Sequence, residues 1–88
     1  MSKNGVVILF INKTREGRNN ICGVIVAQKR KAMGISQRLL ADRLQLQGLD
    51  VDKNAIQRIE SGQRFVTDIE LVYLSRTLEI CVGDLLQL

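Results

Sequence analysis

The chain has 88 residues, of which 45% are hydrophobic, enough for one compact core. Because only 3% of the residues are aromatic, this core must consist mainly of leucine, isoleucine and valine. It contains no histidine and only Cys22 and Cys81, far apart in sequence, so one chain cannot assemble a zinc cluster or a Cys–His nucleophile, and we expect reduced thiols in a cytoplasmic protein. The net charge of +4 is compatible with an anionic partner, though weak evidence for one, and no apolar stretch is long enough to cross a membrane.

The first element in chain order is an unbroken apolar run, Val6–Ile11, whose β-branched residues favour a strand. A strand that is apolar on both faces needs cover or a neighbour to pair with, and no second strand-like segment follows it. One interpretation is antiparallel pairing with the same run of a second copy across a two-fold axis, which forms a homodimer. The other is that the run packs loosely against a helical core, or onto a neighbouring molecule without function.

A polar and basic connector follows over residues 12–20, with Gly17 in its middle, and predicts a loop. We interpret it either as a solvated linker or as an arm that contacts phosphates through Lys13, Arg15 and Arg18. The expected organisation is therefore an N-terminal arm over residues 1–19 and a helical domain over residues 20–88.

Helix 1 is predicted from Asn20 to Met33, because apolar residues recur at helical spacing and Gly34 tolerates the left-handed conformation that ends a helix. A positive band, Gln28–Lys31, lies in its second half. Its inward face is expected to consist of Ile21, Ile25, Val26 and Met33.

Two helices joined by a tight connection are predicted between Gly34 and Gly62. Helix 2 spans Ser36–Gln47, where Ser36 is a good N-cap and a glycine follows the end. Helix 3 spans Asp52–Ser61 and has the same two signals at its ends. The apolar positions of the pair are Leu39, Leu40, Ala41, Leu44, Leu46, Ile56 and Ile59.

The remaining surface of helix 3 carries long hydrogen-bonding side chains: Lys53, Asn54, Gln57 and Arg58. A helix in a DNA major groove requires such side chains, because Arg and Lys reach guanine O6 and N7 while Asn and Gln pair bidentately with adenine. A charged, solvated helix face has the same composition. Both interpretations therefore stay open on composition alone.

Helix 4 is predicted from Thr67 to Leu78, because Thr67 and Glu70 have the spacing of a capping box. Its apolar face is expected to contain Ile69, Val72, Tyr73, Leu74 and Leu78, with the tyrosine ring in the core or at an interface. After a turn, Gly83–Leu86 is predicted to form a short helix 5. The candidates for a second dimer surface are Val82, Leu85, Leu86 and Leu88.

Residues from Ile21 to Leu86 resemble the helix-turn-helix domain of the phage repressor and Cro type, the XRE family. The resemblance is carried by Ser36–Gln37, Leu40–Ala41, Val51, Ile56, Ile59, Glu60 and Gly62. It implies an all-α bundle of five helices with a helix-turn-helix, here preceded by a short strand-like N-terminal arm. It also implies a repressor-like transcriptional regulator that binds double-stranded DNA sequence-specifically, as a homodimer on an inverted repeat, without a cofactor, a metal or catalytic residues.

The resemblance also implies roles for individual residues. Base contacts are assigned by position to Lys53, Asn54 and Arg58, with Gln57 beside them. Phosphate contacts are assigned to Gln37, Ser61, Gln63 and Arg64. Arg30 and Glu60 are expected to form a buried ion pair, with two independent surface charges as the alternative.

The chain departs from the family pattern at three places. Lys29 stands where a leucine is usual, and Cys81 replaces a usual serine cap, which predicts a weak start for helix 5. The connection from Leu44 to Asp52 is longer than in the commonest members. Helix 2 is therefore expected to gain a turn through Leu46, with Leu49 and Val51 filling the connection.

Two other functions remain compatible with the sequence. The chain could be an antitoxin-type autoregulator whose arm or C-terminal helix binds another protein, which predicts a stable heteromeric complex. It could also be a protein-interaction module that keeps the bundle without DNA recognition. That function predicts that Arg58→Ala and Asn54→Ala leave the phenotype unchanged.

Overall fold

The computed structural model describes residues 12–88, and the regular elements in this range are five α-helices. Their bounds are α1 Gly23–Ala32, α2 Gln37–Leu46, α3 Lys53–Ser61, α4 Asp68–Leu78 and α5 Val82–Leu85. The predicted all-α bundle with a helix-turn-helix is confirmed, and residues 12–88 contain no strand. The predicted strand Val6–Ile11 lies outside the described residues.

Side-chain caps define the starts of the helices that the sequence predicted best. Ser36 Oγ accepts a hydrogen bond from Leu39 N at 3.0 Å, and Asp52 Oδ1 accepts one from Ala55 N at 2.8 Å. Thr67 and Glu70 form the predicted capping box at the start of α4. These bonds satisfy backbone N–H groups that have no partner within the helix. The observed first residues of α2, α3 and α4 therefore lie one position after the predicted ones.

The start of α1 is the main difference in helix bounds. The helix was predicted from Asn20, but it begins at Gly23. Asn20 lies before the helix, and its Oδ1 accepts a hydrogen bond from Gly23 N at 2.8 Å. The buried positions of this region are Asn20, Cys22, Gly23, Val26 and Arg30, of which Cys22, Val26 and Arg30 form a stripe spaced four apart. Ile21 lies off that stripe and is 47% exposed, so its assignment to the inward face was wrong.

The core lies where the inward faces of the helices meet, with α3 packed against α1 and α2, and α4 packed against α1, α2 and α5. Its largest fully buried aliphatic side chains are Leu40, Leu44, Ile56, Ile59, Leu74, Leu78, Leu85 and Val26. As expected from the composition, the core is aliphatic. Burial of this apolar surface is the main favourable contribution to folding.

Some apolar positions assigned to inward faces are instead exposed. In α4 the buried stripe is Glu70, Leu74 and Leu78, again spaced four apart, so Ile69 and Val72 fall beside it and are 63% and 40% exposed. In α2 the same argument applies to Leu39 and Leu46, which flank the stripe of Leu40, Ala41 and Leu44. A four-residue spacing in these short helices gives a narrower buried face than the one predicted.

The lengthened connection between α2 and α3 is filled as expected. Val51 is 3% exposed and Leu49 is half-buried against the core. Gly48 has a φ of 100°, a left-handed conformation that suits glycine, and Gln45 Nε2 donates to Val51 O at 2.6 Å. The connection therefore packs onto the domain.

Both cysteines are free thiols. Burial raises the pKa of Cys22 to about 11, so this thiol stays protonated at neutral pH and behaves as a small core residue. Cys81 replaces the usual serine at the start of α5, and its Sγ accepts a hydrogen bond from Asp84 N at 3.4 Å. Within residues 12–88, no helix has both the length and the hydrophobicity needed to span a membrane.

Candidate nucleic-acid interface

The outer face of α3 is the polar helix surface that the sequence singled out. Lys53, Asn54, Gln57 and Arg58 are all exposed. The opposite face is anchored, because Ala55, Ile56 and Ile59 are buried in the core. This alternation holds the helix against the domain and directs the four polar side chains outward.

Arg30 and Glu60, assigned as an ion pair by resemblance, are brought together in the structure. Arg30 Nε lies 2.6 Å from Glu60 Oε2, and Arg30 Nη2 lies 3.0 Å from Glu60 Oε1. Arg30 Nη1 also donates to Ile35 O at 2.9 Å. The hydrogen bond with Glu60 raises the pKa of Arg30, so this guanidinium stays charged. The pair joins α1 to the last turn of α3.

Gln37, assigned to a phosphate contact, takes part in the same network. Its Nε2 donates to Glu60 Oε1 at 3.0 Å. Because an amide NH₂ group has two N–H bonds, the second one and the carbonyl oxygen remain for another partner. Glu60 therefore links the first turn of α2 to α1 and α3.

The segment after α3 turns back onto the end of the helix. Gly62 has a φ of 83° and donates its N–H to Ile59 O, while the N–H groups of Gln63 and Arg64 donate to Arg58 O at 2.9 and 3.2 Å. The resemblance assigns phosphate contacts to residues of this segment. In this chain those N–H groups are already bonded to the helix, and Ser61 Oγ donates to Arg58 O at 3.2 Å. The side chains of Ser61 and Gln63 are exposed.

Arg64, also assigned to a phosphate, forms an ion pair that the sequence reasoning missed. Its Nη1 and Nη2 each lie 2.9 Å from a carboxylate oxygen of Glu70. Burial raises the pKa of the Glu70 carboxyl, but hydrogen bonds from Arg64 and Thr67 outweigh it, and the pKa is lowered from its ordinary value near 4.5. Glu70 was recognised only as part of the capping box. The sequence signal for this ion pair was the position of Arg64, six residues before Glu70.

This pair predicts a pH dependence of stability. A carboxyl whose pKa is lowered by folding contributes stability above its unfolded pKa and loses it as the pH falls through the folded pKa. We expect Glu70→Gln to lower the free energy of unfolding at pH 7 by about 1.5–3 kcal/mol, the usual worth of hydrogen bonds to a charged group. Urea unfolding of both proteins from pH 7 to pH 3 should show this difference shrinking below about pH 4.5.

The control is Glu16→Gln, which makes the same change at an exposed carboxylate in the connector. It should leave the free energy of unfolding nearly unchanged at pH 7. A difference between Glu70→Gln and the parent that stayed constant down to pH 3 would contradict the assigned role of the carboxylate.

Comparison with known proteins gives two kinds of match. The model of a protein family described as helix-turn-helix matches residues 26–80. No curated protein matches the chain.

Two solved structures are similar. The restriction-modification controller protein C.AhdI from Aeromonas hydrophila has a TM-score of 0.64 and 28% sequence identity, covering 73% of this chain and 89% of its own. The clp gene regulator ClgR from C. glutamicum has a TM-score of 0.66 and 22% identity, covering 77% of this chain and 82% of its own. At that identity, the likeness to ClgR shows the fold alone.

Proposed function

This chain belongs to the XRE-type helix-turn-helix family of DNA-binding transcription regulators, and we propose that it binds a specific duplex sequence as a homodimer on an inverted repeat. In this proposal α3 lies in the major groove. Two copies related by a two-fold axis place their α3 helices on one face of the duplex, with half-sites about 10 base pairs apart. The similarity to a restriction-modification controller protein supports a regulatory role.

The observation that carries the proposal is the outer face of α3. We assign base contacts to its exposed side chains, Lys53, Asn54, Gln57 and Arg58. Direct readout needs these side chains on a helix whose orientation is fixed. Here the buried Ile56 and Ile59 fix one face, and the Arg30–Glu60 pair holds the last turn.

We assign phosphate contacts to the residues that flank this face, with one modification. Gln37 would use its second amide N–H, since the first is donated to Glu60. Arg64 would share its guanidinium between Glu70 and the DNA backbone, because five N–H donors are more than the carboxylate uses. Ser61 and Gln63 would contribute their exposed side chains.

The homodimer has two candidate surfaces. One is the apolar run Val6–Ile11 of the N-terminal arm. The other is the C-terminal end, where Leu88 is 93% exposed and Gln87 Nε2 approaches the carbonyl oxygen of the exposed Ile21. Leu85, proposed from sequence for this second surface, is fully buried and does not belong to it.

The test is selection of binding sites from a random duplex pool, followed by affinity for the enriched and scrambled sites over a salt series. We expect an enriched inverted repeat. Arg58→Ala should weaken binding to it by about 1–3 kcal/mol per half-site and relax the preference at one base pair, because a bidentate guanine contact is lost. Circular dichroism should show unchanged folding, since Arg58 is exposed.

The matched control is Arg76→Ala, which removes the same charge from the exposed surface of α4. It should change the affinity for the selected site far less than Arg58→Ala does. A pool without enrichment, with equal and steeply salt-dependent affinity for every duplex, would overturn the proposal. It would favour the antitoxin-type or protein-interaction alternatives, in which the main partner is another protein.

A further inference from the structure

Three consecutive residues before α1 cover the C-terminal end of α3. Arg18 Nη2 donates to Glu60 O at 2.8 Å and approaches Ile59 O at 3.4 Å. Asn20 Nδ2 donates to Ile59 O at 2.9 Å and to Arg64 O at 2.8 Å. Asn19 donates its backbone N–H to Gly62 O at 2.7 Å and its Nδ2 to Gln63 O at 2.9 Å. We call Arg18–Asn20 the clasp.

The clasp supplies a donor to Glu60 O at the end of α3 and further donors to Ile59 O, which also accepts the N–H of Gly62. The last carbonyl groups of an α-helix have no partner within the helix, and they carry its partial negative charge. A guanidinium and two amides are suited to that position. The connector interpretation of these residues was therefore wrong in one respect: Arg18 is half-buried against α3, not solvated or pointing outward.

The surrounding backbone leaves space for this arginine. A Cβ added to Gly62 would lie 2.8 Å from Arg18 Cζ, and one added to Gly23 would lie 2.6 Å from Arg18 Nη2. Any larger residue at either position would collide with the guanidinium. The side chain of Arg18 thus lies between the end of α3 and the start of α1.

The clasp completes the restraint of the segment that follows α3. The N–H groups of Gln63 and Arg64 bond to Arg58 O, and their carbonyl groups bond to Asn19 and Asn20. This segment is therefore held from both sides. The same restraint reaches the last turn of α3, to which Arg58 belongs.

We propose that Arg18, Asn19 and Asn20 are positioning residues for DNA recognition: they fix the end of α3 and the segment Gly62–Arg64 relative to the duplex without contacting it. The inference rests on the proposed function, because the clasp acts through the contacts of α3. The clasp lies outside residues 26–80, which match the family model. We expect the clasp to affect the affinity for the selected site but not the affinity for a scrambled duplex, because the latter depends on charge.

The experiment uses full-length variants at a temperature at which circular dichroism shows each to be folded. Arg18→Met removes the guanidinium, and Asn19→Ala removes one donor without changing the charge. We expect each to weaken binding to the selected site by roughly tenfold, the worth of a net hydrogen bond or slightly more, with little change for the scrambled duplex. Arg76→Met is the matched control, because Arg76 is an exposed arginine of α4, outside the connector and the proposed DNA contacts.

The salt dependence separates positioning from phosphate contact. Loss of a phosphate contact weakens binding to all sequences and lowers the salt slope by about one, whereas loss of positioning leaves the slope unchanged. A reduced slope for Arg18→Met, equal losses on both duplexes, or the same effect from Arg76→Met would overturn the inference.

Amide hydrogen exchange without DNA tests the clasp separately from the proposed function. In Arg18→Met, exchange at Gly62, Gln63 and Arg64 should accelerate by about tenfold, because their acceptors in α3 are loosened, while exchange in the core of α4 stays unchanged. Unchanged exchange at these amides would overturn the inference. If the parent protein selects no site, the proposed function fails, and this measurement still decides whether the clasp orders the end of α3.

Discussion

Replacing Arg30 by methionine is expected to lower the free energy of unfolding by about 3–5 kcal/mol, because the substitution leaves the charge of Glu60 buried without its main partner. The exposed fractions of the two side chains are 11% for Arg30 and 8% for Glu60. The change also removes the donor to Ile35 O, which is bonded at 2.9 Å. Urea unfolding followed by circular dichroism measures the loss. A thermal melt should show a lower midpoint, by about 4–8 °C per kcal/mol for a domain of this size.

The double variant Arg30→Met/Glu60→Leu separates the pair from its parts. An apolar replacement of a whole buried pair is often neutral, so the double variant should be more stable than Arg30→Met alone. The comparison variant is Arg64→Met, because the Arg64–Glu70 pair has the same two-bond geometry but a more exposed arginine, at 28%. Arg64→Met should lower the free energy of unfolding by less than Arg30→Met does. A loss below about 1 kcal/mol for Arg30→Met is typical of a solvated surface pair, and it would contradict the role assigned to Arg30.

Helices α2, α3 and α4 were predictable because their signals are local. Ser36, Asp52 and Thr67 each cap a helix through a bond to a backbone N–H three residues ahead, a pattern that sequence spacing alone reveals. The buried face of α3 followed from Ile56 and Ile59 in the same way. The resemblance then supplied one long-range contact, Arg30 with Glu60, that no local pattern contains.

The clasp was missed because its acceptors lie about forty positions away and are backbone carbonyl groups, which any sequence provides. Arg18, Asn19 and Asn20 therefore looked like a polar connector, although each bonds to residues 59–64. The same cause displaced the start of α1: the helix begins where the backbone is free to approach α3, at Gly23, and not where the apolar spacing begins. Tertiary contacts decide both features.

Gly23→Ala is expected to destabilise the domain by about 3 kcal/mol, at the upper end of the usual cost of overpacking a core. A Cβ at this position would lie 2.0 Å from the carbonyl oxygen of Ile59, which is backbone and cannot rotate away. Helices α1 and α3 would have to separate. The better helix propensity of alanine, worth about 1 kcal/mol at most, does not offset this cost. Urea unfolding at pH 7 measures the change.

The matched control is Gly83→Ala in α5. A Cβ there meets nothing closer than Cys81 Sγ at 3.9 Å, which is an ordinary contact. Since alanine restricts the unfolded chain more than glycine does, this variant should be as stable as the parent or more stable by about 0.4–1 kcal/mol. The two variants make the same chemical change near the start of a helix, so the difference between them isolates the approach of α1 to α3.

The result for Gly23→Ala also bears on the clasp, because the added Cβ would lie 2.7 Å from Asn20 Oδ1 as well. Separation of the two helices would stretch the bonds from Asn20 and Arg18 to the end of α3. Loss of stability together with faster amide exchange at Gly62–Arg64 would therefore mean that the clasp forms only when α1 lies close to α3. A Gly23→Ala protein as stable as the parent would mean that α1 and α3 separate without cost, and the position of α3 would then depend on the Arg30–Glu60 pair and the buried isoleucines alone.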